Sequence, residues 1–314
     1  MSHEVTAPAR FPIGGPAAAD LNGEIPRRGL VVFLAVSFAV AWAAFGLIQL
    51  SGGFGGPGAL LLLVAMYGPA LGTLATWAWG GPMPLLGVRR RGRWWPYLVA
   101  WLGPPCALGL GATLAAALGV QPFDPTLSRL RQALEQQGAS FVQPPQEMLV
   151  LLTVVSVLVG ALLNTLAAFG EEVGWRGYLL AALSPLGGRR AALLTGLIWG
   201  LWHVPLIAQG WNYPGEPLLG SLLMVLFALA WGIILAWLRL RADSMWPAAL
   251  GHGAVNAAGS SLVAFFPPDN PLLGAPVGLV VQVPSLLWAL WLLRSPVWKR
   301  TPLLAARPVR TPPA

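Results

Sequence analysis

Eight stretches of this chain are apolar for long enough to cross a bilayer, and that repetition constrains the fold more than any other feature. A hydrocarbon core of ~30 Å takes about 20 apolar residues of helix. Runs of that kind, bounded by charge, Gly or Pro, fall at 29–50, 58–80, 97–119, 148–183, 191–208, 218–238, 245–266 and 273–293. Inside lipid each segment must satisfy its own backbone N–H and C=O groups, so the runs are expected to be helices. Composition agrees, since 56% of the residues are hydrophobic and only 10% charged, against roughly 25% charged in soluble domains. The expected fold is an all-α, polytopic transmembrane helical bundle of about eight spans. The fourth run is too long for one crossing; its membrane portion is placed near 159–183, the remainder being a tilted extension or a part that begins outside.

The 19 Lys and Arg residues orient the bundle. If the N-terminus is cytoplasmic, alternate connections hold Arg10, Arg27, Arg28, Arg89, Arg90, Arg91, Arg93, Arg189, Arg190, Arg239, Arg241, Arg294, Lys299, Arg300, Arg307 and Arg310. Only Arg129 and Arg131 then lie outside, with Arg176 inside a span. Cytoplasmic loops carry the excess of basic residues, so both termini are expected in the cytoplasm and the chain in a plasma or inner membrane. The net charge of +8 is a consequence of this topology and does not call for a nucleic-acid partner. Residues 1–28 hold no apolar stretch, which predicts a cytoplasmic tail without a cleavable signal. Residues 29–294 are the membrane domain, and 295–314 a basic, Pro-rich cytoplasmic tail along the membrane surface.

The longest connection, 120–147, opens on Asp124-Pro125, a helix-start signal, and repeats Leu127, Leu130 and Leu134 between charged residues. This predicts a short amphipathic helix on the outer interface. Trp94, Trp95, Trp237, Trp246, Trp291 and Trp298 fall at inner interfaces, as an aromatic belt does. Cys106 is the single cysteine; disulfides and Cys-based zinc clusters are excluded, and the residue is expected to be a buried small side chain.

A charged group at mid-bilayer costs at least ~2.5–3.5 kcal/mol on insertion scales, so ionisable residues within spans mark function. Of 11 acidic residues only Glu171 and Glu172 fall in a span, and of three histidines His203 and His252 do. Arg176, Asn164 and Asn256 complete the set. Glu172 and Arg176 stand i, i+4 with the acid first, a favourable helical pair. Glu171 points about 100° away around the same helix and has no cation one turn on, which leaves it as a candidate general base. His252 and Asn256 share a face at i, i+4, where an imidazole and an amide can donate to an oxyanion. Trp199 precedes His203 by one turn. Counted from the inner ends of their spans at ~1.5 Å per residue, Glu171 and His203 lie about 18 Å deep and His252 about 11 Å. These depths predict one cavity, reached from the cytoplasm.

Glu171-Glu172-x-x-x-Arg176, then Trp199-x-x-x-His203, then His252-x-x-x-Asn256 resembles the CPBP family of intramembrane endopeptidases, which includes type II CAAX prenyl proteases and bacteriocin-processing or self-immunity proteins. The resemblance spans about 160–265. It implies that Glu171 and His203 activate water, that His252 and Asn256 stabilise the oxyanion, and that Glu172 and Arg176 brace the site. The family's aromatic is usually Phe; Trp199 is expected to change packing and leave the chemistry alone. A metal-free reaction is the expected one, with zinc on Glu171, His203 and His252 as the alternative. The expected partner is a membrane-associated peptide or protein tail, within the lipid bilayer. The Ala/Gly/Pro/Arg-rich, Lys-poor composition suggests a GC-rich bacterial source, where prenylated substrates are not expected. Two other readings stay open at this stage: a proton-coupled transporter using the same residues as a relay, and a non-catalytic immunity or scaffold member of the family.

Overall fold

The computed structural model describes residues 24–299 apart from 82, 84, 85 and 137–144. The two tails therefore lie almost wholly outside the described residues. Each of the eight apolar runs is helical: α1 (Arg27–Leu50), α2 (Leu61–Ala78), α3 (Trp95–Ala117), α5 (Gln146–Glu172), α7 (Gly188–Trp202), α9 (Pro217–Ala242), α10 (Trp246–Phe265) and α11 (Leu279–Leu292). The connection 120–147 holds α4 (Ser128–Gln136), a helix that its leucine spacing predicted. α5 runs on through a π-helical stretch, Val173–Leu179, into α6 (Leu180–Ala182), and α7 into the short α8 (Val204–Ala208). No strand occurs among the described residues. Six of these helical segments are long and apolar enough by themselves to cross a membrane; α10 and the 14-residue α11 complete the bundle.

Apolar side chains cover the outside of the bundle as well as filling its core. The outward face of α5 exposes Leu151, Leu152, Val155, Leu162, Leu163 and Leu166, while the interior is packed with Ala and Gly and holds the polar side chains. Exposed apolar surface on this scale is what a lipid-facing helix presents. Cys106 belongs to that outer surface: it is exposed, not buried as expected. α3 has apolar residues all round, so its sequence could not say which face turns inward.

Small residues set the helix spacing where it matters. A Cβ on Gly253 would lie 2.6 Å from the backbone of Ala161 and Thr165. That glycine lets α10 close onto α5 beside His252. A Cβ on Gly174 would meet Pro69 at 2.3 Å, so the π-helical stretch seats directly on α2.

The connections sort cleanly to two ends. At one end Thr76 Oγ1 donates to Gly29 O (3.2 Å), Arg93 N to Ala242 O (3.1 Å) and Arg189 Nε to Leu293 O (2.8 Å). This end carries Arg27, Arg28, the Arg89–Arg93 run, Arg189, Arg190, Arg239, Arg241, Arg294 and Lys299. Trp95 packs edge-on against Trp237 here and lies under Arg241. At the other end Asp124 N donates to Phe265 O (2.7 Å), Tyr213 OH to Val277 O (2.7 Å), and Arg129 pairs with Asp269 (2.8 Å). Phe54 packs on Trp211 there.

Candidate active site

Glu171, His203, His252 and Asn256 line a single cavity of 460 Å³. They reach it from three elements: the end of α5, the junction of α7 with α8, and the middle of α10. Trp199, Trp202 and Asn164 also line it, with apolar walls that include Phe45, Met66, Leu108, Met224 and Phe227. Glu172 and Arg176 do not reach the cavity; both are fully buried behind it.

The two adjacent acids have different partners. Glu172 Oε1 accepts from Arg176 Nη1 at 2.6 Å, the expected i, i+4 pair. The same oxygen accepts from His252 Nδ1 at 2.9 Å, a contact the linear sequence could not reveal. The guanidinium of Arg176 lies 4.6 Å above the Trp199 ring, so its charge is answered by a carboxylate and a π face together. Glu171 Oε2 accepts two indole N–H bonds, from Trp175 at 3.1 Å and Trp199 at 2.7 Å. Its other oxygen stands 4.0 Å from His252 Nε2. Among the described residues no Lys or Arg pairs with Glu171 directly.

These contacts fix which histidine nitrogens carry protons. A carboxylate and a carbonyl only accept. His252 Nδ1 therefore donates to Glu172, and His203 Nδ1 donates to Trp199 O at 2.8 Å. In both rings Nε2 is left for chemistry in the cavity.

Trp199 makes a polar contact as well as packing against its neighbours. Its N–H bonds the candidate base, which a phenyl ring cannot do. Trp175 was not singled out from sequence. Its position at i+4 from Glu171 was the available signal. Asn164, two helical turns before Glu171, and Ser260 on α10 are further polar residues on the cavity wall.

The alternative of zinc held by Glu171, His203 and His252 does not fit. Among the described residues no group of three His, Cys, Asp or Glu side chains could hold a metal ion. No step below is routed through a metal.

Trp211 and Asn212 before α9 and Pro276 and Val277 before α11, on the end away from the arginine-rich loops, also line the cavity. Toward the arginine-rich end Trp175, Arg176, Tyr178 and Leu179 are all fully buried.

Residues 151–258 match the family model described as type II CAAX prenyl endopeptidase Rce1-like. A CAAX prenyl protease 2 from Methanococcus maripaludis is 41% identical over 81 residues, covering 24% of this chain and 30% of that relative. The chain thus matches less than a third of its relative's length. The matched segment contains Glu171, Glu172, Arg176, Trp199, His203, His252 and Asn256, so the part of the chain that builds the cavity is the part similar to the type II CAAX prenyl endopeptidases.

Proposed function

We propose that this protein is an intramembrane endopeptidase that hydrolyses a peptide bond in a membrane-associated peptide or protein tail. The observation that carries the reading is the convergence of Glu171, His203, His252 and Asn256 on one cavity, within a helical membrane bundle. Water attacks the scissile carbonyl carbon as Glu171, with His203 Nε2 beside it in the cavity, takes the water proton. The carbonyl oxygen becomes an oxyanion, to which Asn256 and the Nε2–H of a doubly protonated His252 donate, both keeping their protons. Glu172 holds His252 Nδ1–H and balances the charge of the ring. The water proton held by Glu171 then passes to the leaving nitrogen as the C–N bond breaks, releasing a carboxylate and an amine.

The roles of the two acids follow from their partners. Glu172 is neutralised by Arg176 and positions His252. Glu171 is held by neutral N–H donors, which orient a carboxylate without removing its capacity to take a proton.

The test is cleavage of a membrane-peptide library by the purified full chain in detergent. Glu171→Gln is expected to lower the rate by roughly 10⁴-fold, the upper end for a positioned base, with elution and thermal unfolding unchanged. His203→Ala and His252→Ala are expected to match it, since groups acting as a unit fail together. Cleavage that survives Glu171→Gln would sink the proposal.

A further inference from the structure

Two asparagines of the helix pair α5 and α10 line the cavity: Asn256, assigned above to the oxyanion, and Asn164, which the hydrolysis leaves unused. We infer that Asn164 is a substrate-binding residue, its Oδ1 accepting the backbone N–H of the residue that supplies the scissile carbonyl. This rests on the endopeptidase reading above and adds to it a subsite and a rule of specificity. The substrate residue held there must carry an N–H, so it is not proline.

The two asparagines stand at one level. α5 and α10 run antiparallel in close contact, since a Cβ on Gly253 would lie 2.6 Å from Ala161 O and 2.9 Å from the carbonyl carbon of Asn164, and one on Gly160 would lie 3.3 Å from Ala257 Cβ. Further along the same seam Ser156 bonds Ser261 at 2.8 Å. Asn164 reaches back toward Gly160, and Asn256 is the neighbour of Ala257, so both amides flank one stretch of the seam. Glu171 follows Asn164 by two turns of the same helix. Helical side chains lean toward the N-terminus, which brings its carboxylate back toward the Asn164 turn.

Their polarity is complementary. Gly160 O can only accept, so the Asn164 nitrogen is the end turned onto the helix, at 2.9 Å. Oδ1 is the end left to the cavity, and among the described residues nothing donates to it. The Asn256 amide has no partner among the described residues either, and its N–H groups are available. An extended peptide presents the matching pair. The N–H and C=O of one strand residue point to the same side, which is why paired residues of an antiparallel ladder exchange both bonds. With that carbonyl against Asn256 and His252, the N–H of the same residue is on the side of Asn164 Oδ1. Much of the remaining wall is apolar, Leu62, Met66 and Leu108 among it, so an N–H without this acceptor would stay desolvated and unpaired.

The experiment is an enzyme–substrate cycle with the full chain in detergent. A library peptide whose cleavage point has been fixed by mass is remade with an ester oxygen in place of the N–H of the residue that supplies the scissile carbonyl. The exchange keeps the size and removes the donor. With the unaltered chain it is expected to lower kcat/KM roughly 10–100-fold, the cost of a buried bond left unmade. Asn164→Leu is expected to lose a similar factor on the ordinary peptide, and less than about threefold more on the ester. A purely structural role would slow both substrates and keep the full penalty between them, which overturns the inference. An ester cut by the unaltered chain at an undiminished rate overturns it as well. Ser156→Ala breaks an α5–α10 bond whose residues do not line the cavity. It is expected to keep the full ester penalty; a lost penalty there would assign the effect to helix packing and overturn the subsite. Should Asn164→Leu not fold, Asn164→Ala is read in the same way, and the unaltered chain still decides. An ester one residue earlier removes an N–H that points to the opposite side, and is expected to cost less than about threefold; equal penalties at the two positions overturn the inference. If the unaltered chain cuts no library peptide, the endopeptidase reading falls and the subsite with it, whereas cleavage without coupling in the cycle removes the subsite alone.

Discussion

Glu171 and Glu172 are neighbours in sequence and face two different regions of the molecule. On the Glu171 side is a cavity with polar groups aimed into it; on the Glu172 side is a sealed layer in which Glu172, Arg176, Trp175 and Tyr178 are all fully buried. In the sealed layer the carboxylate is matched by a full positive charge at 2.6 Å. In the cavity it is matched only by indole N–H groups. The contrast teaches that residue type does not assign the role here. One carboxylate is enclosed with an arginine behind the cavity, whereas its neighbour in sequence reaches the cavity wall. The link between the regions is His252, which touches Glu172 with one nitrogen and faces Glu171 with the other.

The strongest way to break this division is to attack the sealed layer. Arg176→Ala leaves Glu172 buried without its main cation and is expected to destabilise the fold by about 3–5 kcal/mol, read as thermal or denaturant unfolding in detergent. Glu172→Gln combined with Arg176→Gln removes both charges, and the amide oxygen can still accept from His252 Nδ1. The double variant should recover part of the loss, giving a coupling energy in a double-mutant cycle. Strict additivity would mean that Arg176 answers some other group, and the sealed layer would not be a charge-balanced brace.

On the cavity side the expected effects are kinetic. Asn256→Ala should slow proteolysis by about 10²–10³-fold, the usual cost of one oxyanion donor, with unfolding unchanged. A loss of stability of the same order would assign Asn256 to the packing of α10. Trp199→Phe removes one N–H bond to a carboxylate and leaves most of the aromatic contact. Hydrogen bonds to charged groups contribute about 1.5–3 kcal/mol, so a fall of roughly 10–100-fold in kcat is expected, with KM little changed. An unaltered kcat would return Trp199 to a packing role.

Much of this was legible in the sequence for physical reasons that also mark its limits. The apolar runs located every long helix, because length and hydropathy are properties of a segment alone. The polar set was legible because charge inside lipid is rare. The His252–Glu172 bond was not, since it joins positions 80 residues apart in the chain. Counting residues from span ends gives depth but not what packs behind a site, and the sealed layer there is tertiary packing of Trp175, Arg176 and Tyr178 against α2 and its neighbours. Cys106 was misplaced because an all-round apolar helix in lipid has no sequence signature for its inner face.

The smallest expected effect lies at the end that carries Arg129 and Asp269, and it separates that region from both others. Asp124 accepts from the backbone N–H and hydroxyl of Ser128 at 2.7 and 2.6 Å and from Thr126 N at 2.9 Å, tying down the start of α4. Partial burial works against its charge, but the bonds from Ser128 and Thr126 outweigh it and hold the carboxyl at about 2, below the ordinary 3.8. Because the folded value is depressed, the stabilisation is fully present above the unfolded value near 3.8 and is lost as pH falls through about 2. Amide exchange across 129–136, corrected for intrinsic rates, should therefore accelerate between those limits and stay flat above them. Asp124→Ala should abolish the dependence and cost about 1 kcal/mol of local stability, as the loss of a capping side chain does. Cleavage by Asp124→Ala near neutral pH should match the unaltered chain, since Asp124 touches neither the cavity nor the sealed layer. A slowed rate would instead tie α4 to the function of the cavity.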